Sequence, residues 1–499
     1  MIKYWIYNLL ENNSLGKKIY SSPKALEFFK SSFWSVLGAI FSKGLIFISW
    51  VIVARILGSE GYGQFGIIRS TVLMFTSFAG FSLGITASKH VSEFLNIDKH
   101  KTGRVLGLTI GFGFLMGLLV GVIFYLLAPW LATETLKTPE ITNELKIGAF
   151  ILFFSALNGA QMGALQGFIA FKRIAKINAI QALICFPLFI FGALYLGVNG
   201  TIWALAFSYI LICILSHFAI KKEAKKNQIK INYLNAWQEK SMLFTYSFPA
   251  FLSGLMVTPV KWYADTLLVS NSNFIEIGLF TAALTFNNII MVGVGMLSAP
   301  FLTIMAKNKK DSRNSKFSRF NILAPWAIGI FITGPFIVFP ELGSFIFGDS
   351  FSGKKFELPF IFVLLFTIII MFKQGLSRIM AVYNLQWWSF FSNLLWGLCL
   401  ILCFILFKEK SAYSLAISYL IAYIINVLFV LPVYYKKKII PEKTIESIEA
   451  FGIWFLIVLM AISGIYLESL LFRFILYALT LGALLFLFKK LLLKKNEKI

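Results

Sequence analysis

Apolar runs of about twenty residues alternate with short polar segments along almost the whole of this 499-residue chain. A helix needs about 20 mostly apolar residues to cross a bilayer. Candidate spans fall near 33–55, 64–87, 104–128, 146–170, 178–197, 200–220, 244–270, 277–303, 321–345, 358–382, 389–407, 411–433, 450–467 and 474–489. The pattern therefore predicts an all-α integral membrane protein of about fourteen transmembrane helices. No signal-peptide pattern precedes the first run. Ahead of it, Ile2, Trp5, Ile6, Leu9 and Leu10 recur at helical spacing within residues 1–30. That spacing fits a helix lying on the membrane surface, and a frayed tail fits as well.

The connections between runs set orientation. Lysine and arginine gather in alternate loops: Lys89, Lys99, Lys101 and Arg104; Lys172, Arg173 and Lys176; Lys221, Lys222, Lys225 and Lys226; Lys307 to Arg319; and Lys436 to Lys438. The other loops are poor in lysine or balanced by acid, as where Glu134, Glu140 and Glu144 offset Lys137. By the positive-inside rule both termini face the cytoplasm; the loop after span ten is the exception, where only Arg378 and the Trp387-Trp388 pair mark the inner face. The tight Val198-Asn199-Gly200 connection is read as the hairpin between spans five and six.

An internal repeat organises the runs. Moving along the chain by 215 residues places Tyr62-Gly63-Gln64-Phe65 on Ile277-Gly278-Leu279-Phe280, Asn178 on Asn393 and Phe33 on Phe248. Each copy holds six spans, an even number, so both enter from the same side and form parallel repeats. The predicted organisation is an N-terminal segment (1–30), a six-helix lobe (31–220), a basic linker (221–243), a second six-helix lobe (244–435), and two C-terminal helices with a basic tail (436–499). Glycines recur every fourth residue at Gly103, Gly107 and Gly111, at Gly113, Gly117 and Gly121, and at Gly159, Gly163 and Gly167. Such faces are expected to pack helix on helix inside the first lobe.

Composition agrees with lipid as the solvent. Hydrophobic residues make up 58% and charged residues only 14%, against about 25% charged in soluble domains. The net charge of +24 lies in the short loops and forms no aromatic-interleaved stripe, so no nucleic acid is expected. Cys185, Cys213, Cys399 and Cys403 sit inside apolar runs and read as small packing residues. His90, His100 and His217 lie far apart near helix ends, so no metal site is expected. No phosphate-binding loop, metal-spaced histidine pair or sugar-nucleotide Asp-x-Asp occurs, so neither an enzyme nor a cofactor is expected.

Charges inside a bilayer are costly and usually functional. Lys43 falls in span one, Arg69 in span two, Lys261 and Asp265 in span seven, and Arg378 toward the end of span ten. Pro249 and Pro259 should break span seven beside Lys261. The repeat sets Lys43 on Thr258, one turn from Lys261, and Arg69 on Leu284, beside Thr285. Thr281, Thr285 and Asn288 form a polar stripe on span eight. Spans one, two, seven and eight are thus expected to line a central basic cavity suited to a diphosphate. The competing readings are that Lys261 and Asp265 pair at i,i+4 and that Arg55, Lys89 and Arg378 snorkel to the interface.

The run from Ala54 to Gly66, ARILGSEGYGQFG, resembles the first outer turn of bacterial O-antigen and exopolysaccharide-unit flippases, within the multidrug/oligosaccharidyl-lipid/polysaccharide exporter superfamily. Phe81-Ser82-Leu83-Gly84-Ile85-Thr86-Ala87-Ser88-Lys89 is similar to the end of their second helix. The resemblance implies an alternating-access flippase of the bacterial inner membrane for an undecaprenyl-diphosphate-linked oligosaccharide, its cavity positions matched here by Lys43, Arg69 and Lys261; depth adds Arg378 to the expected cavity residues, and the polar stripe adds Thr285 and Asn288. It also implies lipids, a glycan polymerase and glycosyltransferases as partners. Asp265 is the expected site of proton or sodium coupling. A lipid II flippase, a cation-coupled drug exporter of the same fold and a glycan polymerase are the rival readings. The last calls for a large outer loop with paired basic residues, and no such loop is present.

Overall fold

A computed structural model describes residues 23–254, 257–307, 316–382, 385–437, 440–441 and 444–492. The proposed surface helix of residues 1–30 therefore lies largely outside the described residues. Among those described there are helices and no strands. They are α1 (Pro23–Gly80), α2 (Leu83–Phe94), α3 (Lys99–Trp130), α4 (Thr142–Gly167), α5 (Phe171–Lys226), α6 (Phe248–Gly254), α7 (Thr258–Asn271), α8 (Phe274–Lys307), α9 (Lys316–Val338), α10 (Glu341–Phe347), α11 (Lys354–Val382), α12 (Gln386–Leu406), α13 (Ala412–Lys436), α14 (Ile448–Tyr466) and α15 (Leu470–Leu492). Eleven segments among them are long and apolar enough to cross a membrane. Exposed Leu, Ile and Phe cover their outer faces, as helices in lipid require.

Two of the longest helices fold back on themselves. Gly58 in α1 (φ 67°) and Gly197 in α5 (φ 58°) adopt left-handed backbone that glycine alone takes without cost. The α1 arms touch where Trp50 and Phe65 stand 4.9 Å apart. The α5 arms are tied by a hydrogen bond from Gln181 Nε2 to Ser208 Oγ (2.7 Å). Gly197 is therefore the residue that makes the turn expected at Val198-Asn199-Gly200. The expected single span over 244–270 is divided into α6 and α7, with Pro259 in the first turn of α7. Proline is tolerated there because first-turn N–H groups have no helical partner.

The glycine faces do different jobs. A Cβ on Gly117 would stand 3.1 Å from Phe153 O of α4, and one on Gly163 would stand 2.0 Å from Gly84 O of α2. These are close helix packings, as expected. Gly103 and Gly107 instead receive the linker that joins the two halves. A Cβ there would lie 2.1 Å from Lys230 O and 2.0 Å from Asn232 O. Asn232 N–H donates to Gly103 O (3.0 Å), and Arg104 pairs with Glu239 (2.8 Å). The helix-on-helix expectation is corrected at these two positions, because an extended strap needs the same bare backbone as a helix. At the start of α3, Asp98 Oδ1 caps the Lys101 N–H (2.8 Å), and that backbone bond holds its carboxyl below the usual range.

The halves meet at the end away from the lysine-rich loops, and they do so with the symmetry of the repeat. A Cβ on Gly63 would lie 1.9 Å from Phe274 O, and one on Gly278 would lie 1.8 Å from Ser59 O. The same 215-residue shift that relates Gly63 to Gly278 relates Ser59 to Phe274. Around this contact, Tyr62 Oη bonds Thr285 Oγ1 (3.0 Å), and Arg55 Nε donates to Ile346 O (2.7 Å). The last two helices lie against the second half, with Gly464 on Ile337 O and Arg473 paired to Glu341 (2.8 Å).

Gly63→Val or Gly278→Val should lower stability by about 1–3 kcal/mol through overpacking or hold the halves apart. Gly452→Ala, with nothing near its added methyl, should stay within about 0.5 kcal/mol of the parent. Thermal unfolding of the purified variants is the measurement.

Candidate functional site

Below this contact lies a cavity of about 280 Å³ between the halves, adjoined by a smaller one of about 130 Å³. The larger is lined by Arg69 and Ser70 of α1, Lys261 and Asp265 of α7, Thr281, Thr285 and Asn288 of α8, Phe366 and Ile370 of α11, and Tyr419 and Tyr423 of α13. The smaller is lined by Lys43, Phe47, Trp50, Arg69, Thr285 and Asn288. The two share Arg69, Thr285 and Asn288, so Lys43 and Lys261 face neighbouring parts of one basic space.

Helix geometry explains why these residues meet. Arg69 lies eleven residues beyond the Gly58 turn, and Thr285 lies eleven beyond the start of α8. At 1.5 Å per residue both stand about 16 Å from that end, near the middle of a 30 Å hydrocarbon core. Lys261, ten residues before the end of α7, comes to a similar level. The Lys43, Lys261 and Asn288 side chains are exposed to this space, and Arg69 is half-buried. The Arg69 guanidinium lies 5.3 Å from the Trp50 ring centre, a cation–π contact that orients it without neutralising it. Among the described residues, no carboxylate stands within ion-pair distance of Lys43, Arg69 or Lys261.

Asp265 does not close onto Lys261 in an i,i+4 pair. It is 8% exposed, and its Oδ2 accepts from Ser70 Oγ of the other half (2.6 Å). Its Oδ1 is buried with no hydrogen-bond partner among the described residues. Beside it, Trp262 Nε1 donates to Thr71 Oγ1 (3.0 Å), a further bond between the halves. A carboxylate with one oxygen engaged and one open has capacity for a proton or small cation.

Arg378 is placed elsewhere. It is 5% exposed, donates from Nε to Asn321 Oδ1 (2.6 Å) and from Nη2 to Asn321 O (3.1 Å), and ties α11 to α9. It does not line the cavity. Helix rotation turns it toward α9. It does not snorkel either, because its guanidinium ends on a buried partner.

Lys373 of α11 escaped sequence reasoning. Its ammonium donates to Asn426 Oδ1 of α13 and lies 5.4 Å from the Tyr423 ring centre. The 215-residue shift places it on Asn158, whose amide donates to Ser216 (3.2 Å) and joins α4 to α5 in the first half. That correspondence marks a polar position shared by both repeats and is the signal that would have found it.

Residues 28–305, more than half of the chain, match the family described as polysaccharide biosynthesis protein. Stage V sporulation protein B of Bacillus subtilis is 22% identical over 275 residues, 52% of each chain. An uncharacterized membrane protein of Methanocaldococcus jannaschii is 23% identical over 200 residues, 39% of this chain and 46% of its own. The chain thus spans about half the length of these curated relatives. Among solved structures, the lipid II flippase MurJ in an inward closed conformation superposes with a TM-score of 0.67 at 16% identity, over 94% of this chain and 100% of that one. A multidrug resistance MATE family transporter of the MOP superfamily, inward-facing, gives 0.60 at 13% identity, over 82% and 99%. At these identities the likeness is one of fold.

Arg378→Ala should cost about 1–3 kcal/mol by stripping the Asn321 side chain and carbonyl of their buried donor. Lys261→Ala, facing an open cavity, should leave stability within about 0.5 kcal/mol and reduce anion binding instead. Melting curves and pyrophosphate binding, measured on both variants, separate the two roles.

Proposed function

The chain belongs to the polysaccharide biosynthesis protein family, and from that premise we propose that it is a flippase for undecaprenyl-diphosphate-linked oligosaccharide repeat units. The units pass from the inner to the outer leaflet during surface polysaccharide assembly, of the O-antigen or exopolysaccharide kind. The observation that carries this reading is the group Lys43, Arg69 and Lys261 around a mid-membrane cavity, with no carboxylate in ion-pair distance among the described residues. A diphosphate supplies the missing charge, and the exposed Asn288 amide suits its oxygens and the first sugar.

Orientation follows from the lysine-rich loops, which we place in the cytoplasm with both termini. The contact at Gly63 and Gly278 then lies on the outer side, and the cavity receives its cargo from within. Alternating access is the exchange of this outer contact for an inner one, each half moving as a unit. An anionic head group leaving an inside-negative cell gains about 2.3 kcal/mol per charge per 100 mV. Asp265 is the coupling site, loading a proton or sodium ion at its open oxygen. Glycosyltransferases and a glycan polymerase stand before and after this step.

The fold shared with a lipid II flippase supports one alternative, a peptidoglycan precursor as cargo. A drug exporter is disfavoured, since a cationic drug calls for an acidic cavity.

Depleting the protein in its host should make undecaprenyl-linked oligosaccharide accumulate on the inner leaflet while surface glycan falls. Lys261→Ala should fail to restore it. Normal surface glycan with accumulated lipid II would shift the cargo to the peptidoglycan precursor, and normal pools of both would overturn the flippase reading. Asp265→Asn should abolish the response of transport to external pH or sodium. A variant that transports like the parent at every pH and sodium level would remove Asp265 from coupling.

A further inference from the structure

The cavity wall does not stop at its lining residues. On α11, Phe366 and Ile370 line it, and Lys373 is the next residue on the same helical face. On α13, Tyr419 and Tyr423 line it, and Asn426 follows on theirs. The two helices run in the same sense, so both faces reach one turn further toward the lysine-rich end. There Lys373 Nζ donates to Asn426 Oδ1 beside the Tyr423 ring. The Asn426 amide is held in turn by Ser392 O (2.5 Å) and Ser392 Oγ (2.9 Å). Asn426 is thus fully committed, with its oxygen turned toward the ammonium.

An ammonium has three donors. One goes to Asn426. Among the described residues no carboxylate stands within ion-pair distance of Lys373, and its side chain is half-buried. A structural bridge between α11 and α13 needs only a neutral donor; in the first half Asn158, at the position that corresponds to Lys373, joins α4 to α5 through Ser216 with an amide. A full charge at this depth is costly without an anion.

We propose that Lys373, positioned by Asn426 and Tyr423, is a second anion subsite, one turn inward of the central cavity, for an anionic oxygen group of the transported molecule. The inference rests on the flippase reading and adds to it. The cargo meets positive charge at two levels, Lys373 first and the Lys43, Arg69 and Lys261 group deeper. The anion comes either from the diphosphate or from an acidic sugar.

The test uses the full chain in lipid nanodiscs and the variants Lys373→Gln and Lys373→Arg. Gln keeps a donor for Asn426 and removes the charge, and Arg keeps the charge. Three probes are titrated: a short polyprenyl diphosphate, the same lipid bearing a neutral disaccharide, and the same lipid bearing a disaccharide with a uronic acid. The proposal expects Gln to weaken binding on the order of tenfold, Arg to preserve it, and the difference to shrink with added salt. Equal loss on all three probes assigns the anion to the diphosphate, and loss on the uronic acid probe alone assigns it to the sugar. Parent-like affinity of the Gln variant for all three overturns the subsite and leaves the flippase reading standing. A parent protein that binds none of the probes overturns both.

Discussion

The arrangement depends on two backbone contacts related by the internal repeat. Gly63 sits on the carbonyl of Phe274, and Gly278 sits on the carbonyl of Ser59. No side chain fits at either glycine, so the second arm of α1 and the start of α8 cross at backbone distance. That approach brings Tyr62 to Thr285, Ser70 to Asp265 and Thr71 to Trp262, three hydrogen bonds that bridge the halves. Without it, the cavity beneath would have no roof. Small residues serve this purpose in membranes because lipid gives no hydrophobic reward for helix association, and van der Waals contact must supply it.

Much of the architecture was legible in the chain. Runs of about twenty apolar residues give spans because lipid leaves helices as the economical way to satisfy the backbone. The repeat offset was visible at Tyr62-Gly63-Gln64-Phe65 and has a structural cause, since the shared Gly-x-Phe positions form the crossing itself. The placement of Lys43, Arg69, Lys261, Thr285 and Asn288 around one space followed from depth and from the repeat together.

What escaped reading has physical causes too. Arg378 and Lys373 lie five residues apart on α11, at comparable depth, yet one points to α9 and the other to α13. Depth follows from residue counting, whereas facing depends on helix rotation, which packing decides. The Gly103 and Gly107 face read as a helix contact because a glycine stripe reports only that something comes close. An extended linker and a helix leave the same mark in sequence. Likewise Lys261 and Asp265 have the spacing of an ion pair, but Ser70, far away in sequence, competes for the carboxylate and holds it.

The charge of the cavity limits what it holds. Its lining residues include Lys43, Arg69 and Lys261 against one carboxylate, Asp265, which is already engaged by Ser70. A cation entering this space would meet repulsion with a single half-committed oxygen to offset it. An anion meets three donors, set on the two arms of α1 and on α7. In a medium of low effective dielectric such charge contacts weigh more than they would in water. The same disposition ties binding to shape. Lys43 and Arg69 belong to the first half and Lys261 to the second, so an anion held by all three bridges the halves, and any motion that separates them loosens its hold. The proposed transport needs that property, because a site that gripped equally in every state would bind its cargo and never deliver it.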